Sequence, residues 1–184
     1  MNKKIIGVVA CSAVAASMAI GASASDELIK VGYAQVGHES DWRTANTQNY
    51  QDVFSEANGY ELSFVDCDND NAAQIEAVRN FINQELDYIV IAPIQSAGWD
   101  TVLQEAQDAG IPVIIADREI EASDDLYDAW VGTNTTNEGI TAGNWLAENL
   151  DGKEANILVI EGSVGASAAL GRSDGFNQVA AEHD

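Results

Sequence analysis

Two polar clusters stand where apolar runs end. Asp117 and Arg118 close the run Ile111-Pro-Val-Ile-Ile-Ala116, and His38-Glu-Ser-Asp-Trp-Arg43 follows an earlier run of the same kind. The carboxylates Glu39, Asp41 and Asp117 are acceptors for hydroxyl groups, and ionised acceptors make hydrogen bonds roughly twice as strong as neutral ones. Arg43 and Arg118 add planar donor forks that can hold those carboxylates in place. Trp42 offers ring area and a polarised π-face to an apolar C–H surface. Acid, arginine and indole converging from two strand ends suit a small, uncharged, hydroxyl-rich ligand such as a sugar. Open α/β sheets hold their ligands beyond the carboxyl ends of parallel strands. Blander readings compete: Trp42 as core on the first helix, and Asp117-Arg118 as a surface ion pair.

The elements that would position these residues alternate regularly. Strands are predicted at residues 28–34, 61–65, 87–93, 111–116 and 128–132. Helices are predicted at 41–58, stopped by Gly59, at 72–85, and at 99–109, ended by Gly110. Ile75, Val78, Phe81 and Ile82 fall on one helical face. The run at 87–93 is apolar on both faces, as a central parallel strand requires. Such alternation means βαβ units in an α/β fold. The rhythm continues beyond Thr133, with a helix at 137–150, a strand at 155–161 and a helix at 167–182. That last strand and helix have no neighbours to complete a sheet, so the chain is expected to stop inside a second α/β domain. The expected boundary lies at Gly132-Thr133-Asn134, an ordered hinge without a Pro/Gly/Ser-rich linker. Trp99, Trp130 and Trp145 are expected to pack.

Residues 1–24 read as a secretory signal peptide. Met1-Asn-Lys-Lys4 is a basic start, residues 5–21 are apolar and small, and Ala22-Ser-Ala24 is a cleavage signal. The expectation is soluble export rather than a lipid anchor through Cys11, because the apolar stretch before that cysteine is short. No other segment approaches the length of a membrane span. The chain carries 8 basic and 30 acidic residues, and cleavage would remove Lys3 and Lys4. Such a charge repels phosphate backbones, so nucleic acid is not an expected partner. Cleavage would also leave Cys67 as the sole cysteine, with no internal disulfide and no cysteine metal cluster.

Several motifs fail on inspection. Asp66, Asp68 and Asp70 resemble the start of a calcium loop, but Asn71 and Ala77 stand where Gly and Glu are required. The stretch reads instead as a turn and N-cap for the next helix. Gly162-Ser-Val-Gly-Ala-Ser167 lacks both the P-loop ending and the dinucleotide fingerprint. His38 and His183 have no nucleophile signature around them. No cofactor, metal or catalytic residue is expected.

Several stretches carry a family resemblance. They are Asp66-Cys-Asp-Asn-Asp-Asn71 before Gln74-Ile75, then Asp87-Tyr-Ile-Val-Ile-Ala-Pro93, and Ala109-Gly-Ile-Pro-Val-Ile-Ile-Ala-Asp-Arg118. Thr141-Ala-Gly-Asn-Trp145 and Gly162-Ser-Val-Gly-Ala-Ser-Ala-Ala169 complete the set. In this order they resemble the type I periplasmic sugar-binding proteins that feed ABC transporters. Gln35-Val-Gly-His-Glu-Ser-Asp-Trp-Arg43 is similar to the galactofuranose-binding branch.

The resemblance implies a periplasmic binding protein type I fold with two parallel-sheet lobes. Residues 25–132 would form the first lobe, nearly complete but for its returning C-terminal strand. Residues 133–184 would begin the second. Glu39, Trp42 and Arg43 match first-lobe sugar contacts, Asp117 and Arg118 an acid–arginine pair, Thr133 a hinge contact, and Arg172 an arginine on the second-lobe helix. A solvated helix face is the bland alternative for Arg172. The implied function is capture of a monosaccharide, galactofuranose first, between two lobes, with delivery to an ABC permease by an exported monomer of the periplasm or cell envelope. The alternatives are a sugar sensor subunit and a receptor for another furanose or pyranose. An enzyme is not expected.

Overall fold

Alternating β-branched runs and glycine-stopped helices build one parallel sheet. The computed structural model describes residues 27–38 and 40–183. The strands are β1 (Ile29–Gln35), β2 (Tyr60–Asp66), β3 (Tyr88–Ile91), β4 (Val113–Asp117) and β5 (Ala129–Gly132). Their spatial order is β2-β1-β3-β4-β5 and every pairing is parallel. The helices are α1 (Asp41–Val53), α2 (Asn71–Asn83), α3 (Asp100–Asp108), α4 (Thr135–Leu150) and α5 (Ser167–Ala180). The strand order reverses between β1 and β3. This is the doubly wound arrangement whose crevice opens beyond the strand ends at the reversal.

β1 shows why the sheet is central: from Val31 to Gln35 both of its faces are buried. Tyr33 stacks on Tyr50 of α1 with ring centroids 4.0 Å apart. On the opposite face Gly32 leaves room for Phe81 of α2, whose ring would stand 2.6 Å from an added Cβ. The core runs on through Val78, Ile89, Ile91, Trp99, Leu103 and Ile115, all essentially inaccessible to solvent. Asp70 caps α2, its Oδ1 accepting from the amides of Ala72 and Ala73 at 2.9 and 3.1 Å. The expected turn and cap are therefore present, and Asp68 and Asn69 make the turn with positive φ, which short Asx side chains tolerate.

Two elements differ from expectation. The first helix ends at Val53 rather than near Asn58. Ser55 and Asn58 side chains donate to the carbonyls of Asp52 and Val53 at 3.0 Å, satisfying them in place of helical amides. This local competition by Ser and Asn ends helices early. Residues 155–161 form no strand. A strand exists only through its partner, and no described residue pairs with this segment. Ile157, Leu158, Val159 and Ile160 are accordingly exposed.

α4 and α5 pack on each other through glycines. A Cβ on Gly139 would lie 2.2 Å from the Arg172 carbonyl, and one on Gly175 would lie 2.1 Å from that of Thr136. The contact with the sheet domain includes the Ser96 amide donating to the Gly165 carbonyl at 2.9 Å.

Candidate ligand-binding site

Parallel pairing brings the polar clusters to one edge of the sheet. The loop holding His38 follows β1, Asp117 ends β4, and Thr133 follows β5. Asp117 adopts a left-handed backbone at φ 69°, a costly conformation that concentrates at functional sites. β5 accommodates this turn because Gly132 lies opposite. An added Cβ there would fall 2.1 Å from the Asp117 carbonyl.

Asp117 is paired with Arg43, whose Nη2 lies 2.5 Å from Asp117 Oδ2. The expected pairing of Asp117 with its neighbour Arg118 is thereby corrected. Successive residues at a strand end diverge, so Arg118 turns instead to the cavity beside α4 and α5. The Arg43 side chain is 2% exposed and that of Asp117 32%. The guanidinium therefore sits beneath the carboxylate rather than beside it. Trp42 is 59% exposed, which excludes the core reading, and the Arg43 guanidinium lies 4.8 Å from its ring centroid. Ser40 caps α1 with its Oγ accepting from the Arg43 amide at 3.2 Å, so the cap fixes where Trp42 and Arg43 leave the helix. Asp41 is exposed in the first turn. Glu39 lies outside the described residues.

Beneath this pair lies a polar layer that the sequence pattern did not single out. The Tyr33 hydroxyl donates to Asn46 Oδ1 at 2.9 Å, and Arg43 Nη1 donates to the same oxygen at 3.4 Å. The Thr47 hydroxyl donates to Gln35 Oε1 at 2.6 Å. Burial, first, and the neighbouring Tyr50 push the Tyr33 hydroxyl well above the usual phenol range, while Arg43 opposes the rise by charge and hydrogen bonding. The available signal was a polar Gln35 ending an apolar strand, with Asn46, Thr47 and Tyr50 at helical spacings from Arg43. Gln74, which the sequence offers only as part of the family resemblance, has a bonding role of its own. Its amide donates to the carbonyls of Ala34 and Ala92 and accepts from the Ile94 amide, tying β1 to β3 where their ends separate.

The remaining predicted residues form a second group. Arg172 Nε lies 2.8 Å from Glu138 Oε2. Hydrogen bonds from Arg172, first, and from Thr133 hold the Glu138 carboxyl below its usual range. Arg118, Glu138 and Arg172 line one cavity of about 790 Å³ whose far wall is the apolar segment containing Ile157 and Val159. The structure thus gathers Trp42, Arg43 and Asp117 in one cluster and Thr133, Arg118 and Arg172 around Glu138 in another. Asp117 and Arg118 join the two. Of the other tryptophans, Trp99 is fully buried and Trp130 packs partly buried against the core. Trp145 is 63% exposed on α4, contrary to the packing expectation, because α5 covers the opposite, glycine-lined face.

A family model for the periplasmic binding protein domain matches residues 31–184. The chain belongs to that family. It is 41% identical over 177 residues to the galactofuranose-binding protein YtfQ of Escherichia coli K12, covering 96% of this chain and 54% of that protein. A crystal structure of a galactofuranose binding protein superposes with a TM-score of 0.78 at 40% identity, covering 84% of this chain and 52% of the other. The binding component of the arabinose ABC transporter from Shewanella sp. ANA-3, bound to α- and β-L-arabinofuranose, superposes at 0.76 with 41% identity, covering 84% and 51%. The fold is that of the type I periplasmic binding proteins. This family member spans about half the length of the curated relatives it matches.

Proposed function

We propose that the protein captures a monosaccharide between two lobes and hands it to an ABC permease, with a furanose, galactofuranose first, as ligand. The observation that carries this reading is the Arg43–Asp117 pair, formed between the start of α1 and the carboxyl end of β4 beside an exposed Trp42. A buried arginine fixes a carboxylate that remains partly open to solvent, and an indole face stands beside it. That combination accepts sugar hydroxyl groups and covers a sugar C–H face. The furanose preference is supported by what the galactofuranose and arabinofuranose relatives bind.

In this reading Glu39, Trp42, Arg43, Asp117 and Arg118 contact the sugar from a first lobe at residues 25–132. Thr133 acts at the hinge, and Arg172 reaches in from a second lobe beginning at 133. Residues 1–24 direct export, and the working form is a monomer in the periplasm or cell envelope that binds without turnover. Closure is a population shift driven by the ligand's better contacts in the closed state. Of the six basic residues beyond the signal segment, three are Arg43, Arg118 and Arg172. So acidic a chain concentrates its few cations at the cleft.

The test is a thermal-shift panel on the whole exported protein with furanose and pyranose forms of galactose, arabinose and ribose. A sugar at ~100 times its Kd stabilises by about 2.7 kcal/mol, a shift of several degrees for a domain of this size. A response confined to furanoses supports the reading. A flat panel refutes it.

A further inference from the structure

α1 is bolted to β1 by two side-chain rungs directly under the Arg43–Asp117 pair. Tyr33 meets Asn46 and Gln35 meets Thr47, so alternate residues of the strand contact consecutive residues of the helix. The Thr47 hydroxyl also lies 3.0 Å from the Arg43 carbonyl, anchoring the turn from which the arginine leaves. The Tyr33 ring cannot wander, being stacked on Tyr50 and tilted against Phe64 with centroids 5.8 Å apart.

Asn46 is the pivotal group, because a primary amide can present either an acceptor oxygen or a donor NH2. Arg43 has only donors, so an Asn46 NH2 facing it would repel the guanidinium. Arg43 thus selects the acceptor edge: Asn46 Oδ1 faces Arg43 Nη1, and the buried Tyr33 hydroxyl, which can donate or accept, donates to that same oxygen and holds it there. Burial keeps the Tyr33 proton in place, so the donor persists over the whole range in which a sugar would be bound.

We infer that Tyr33 and Asn46 are positioning residues for sugar binding: the Tyr33 hydroxyl fixes the Asn46 amide, and the amide fixes the Arg43 fork that presents Asp117 to a ligand hydroxyl. Neither residue needs to touch the sugar. The inference rests on the sugar-binding reading above, and its test separates the two.

Tyr33→Phe keeps the stacked ring and removes only the hydroxyl. In the whole protein it should raise the Kd for β-D-galactofuranose by about fivefold, the effect of one modest hydrogen bond acting through its neighbour. In an Arg43→Lys background, where no fork remains to be oriented, the same change should leave Kd within about twofold, since the coupling is then absent. NMR of the Arg43 Nε–H should show slow rotation about Cζ–Nε in the parent and faster rotation in Tyr33→Phe and in Asn46→Leu. Equal Kd ratios in both backgrounds, or unchanged Arg43 rotation in both variants, would overturn the inference. If the parent binds neither β-D-galactofuranose nor L-arabinofuranose, the sugar reading fails. The rotation measurement then decides by itself whether Tyr33 and Asn46 hold Arg43.

Discussion

Replacing Asp117 by Asn should destabilise the protein more than replacing Arg43 by Met, and the reason lies in the unequal burial of the pair. The Arg43 side chain is 2% exposed, whereas Asp117 keeps 32% of its side-chain surface. Asp117→Asn preserves shape but removes the anion 2.5 Å from a buried cation. Removing one partner of a buried pair costs about 3 kcal/mol or more, because the remaining charge is left in a poorly solvated place. Arg43→Met removes the buried charge itself and leaves a carboxylate that water can reach, so the cost should fall to about 1–2 kcal/mol, that of lost hydrogen bonds and packing. The double variant should then be more stable than Asp117→Asn alone. Urea denaturation of all four proteins measures this directly, and ~3 kcal/mol corresponds to a fall in Tm of roughly 6–12 °C for a chain of this size. If Asp117→Asn lies within about 0.5 kcal/mol of the parent, or if the two changes simply add, the buried-cation argument is wrong.

Other expectations follow from the same geometry. Gly132→Ala should cost about 2–3 kcal/mol, since its Cβ would collide with the Asp117 carbonyl and overpacking forces backbone shifts; the denaturation midpoint reports it. Gln74→Leu strands the Ala34 and Ala92 carbonyls and the Ile94 amide, at about 3 kcal/mol in all, with faster hydrogen exchange at Ile94 as the local sign. Trp42→Ala should change stability by less than about 0.5 kcal/mol, as exposed sites do, yet weaken sugar binding about tenfold or more by removing the aromatic face, a split that titration and melting together resolve. Burial, with Asp66 and Asp70 nearby, pushes the Cys67 thiol up to about 12. From the ordinary thiol range up to that value the folded state keeps a proton that the unfolded chain has lost. Stability should therefore fall as pH rises through this window, and a thiol reagent at pH 8 should label Cys67 only as fast as the protein unfolds.

Much of this molecule is legible in one dimension because its signals are local. Apolar runs of strand length, Gly59 and Gly110 closing helices, and Asp70 capping α2 each depend on residues within a few positions of one another. They suffice for the strand–helix rhythm and for the prediction that ligands gather beyond Asp117 and the His38–Arg43 stretch. The early end of α1 is equally local, but it rests on Ser55 and Asn58 competing for helix carbonyls through side chains that a periodicity ignores. Residues 155–161 carry strand propensity, yet a ladder needs a second chain segment, and propensity cannot supply one.

Which charges meet was decided only in three dimensions. The adjacency of Asp117 and Arg118 suggested a pair, but the strand end sends them apart, and the partner comes from Arg43, 74 positions away. Likewise Thr133 and Arg172 converge on Glu138, and Tyr33 reaches Asn46, because a parallel sheet brings distant strand ends to one edge. Sequence alone determined the kinds of group available and the order in which they appear. The tertiary structure decided which guanidinium is buried beneath which carboxylate, since burial and pairing depend on the packing of whole elements rather than on any residue's neighbours in the chain.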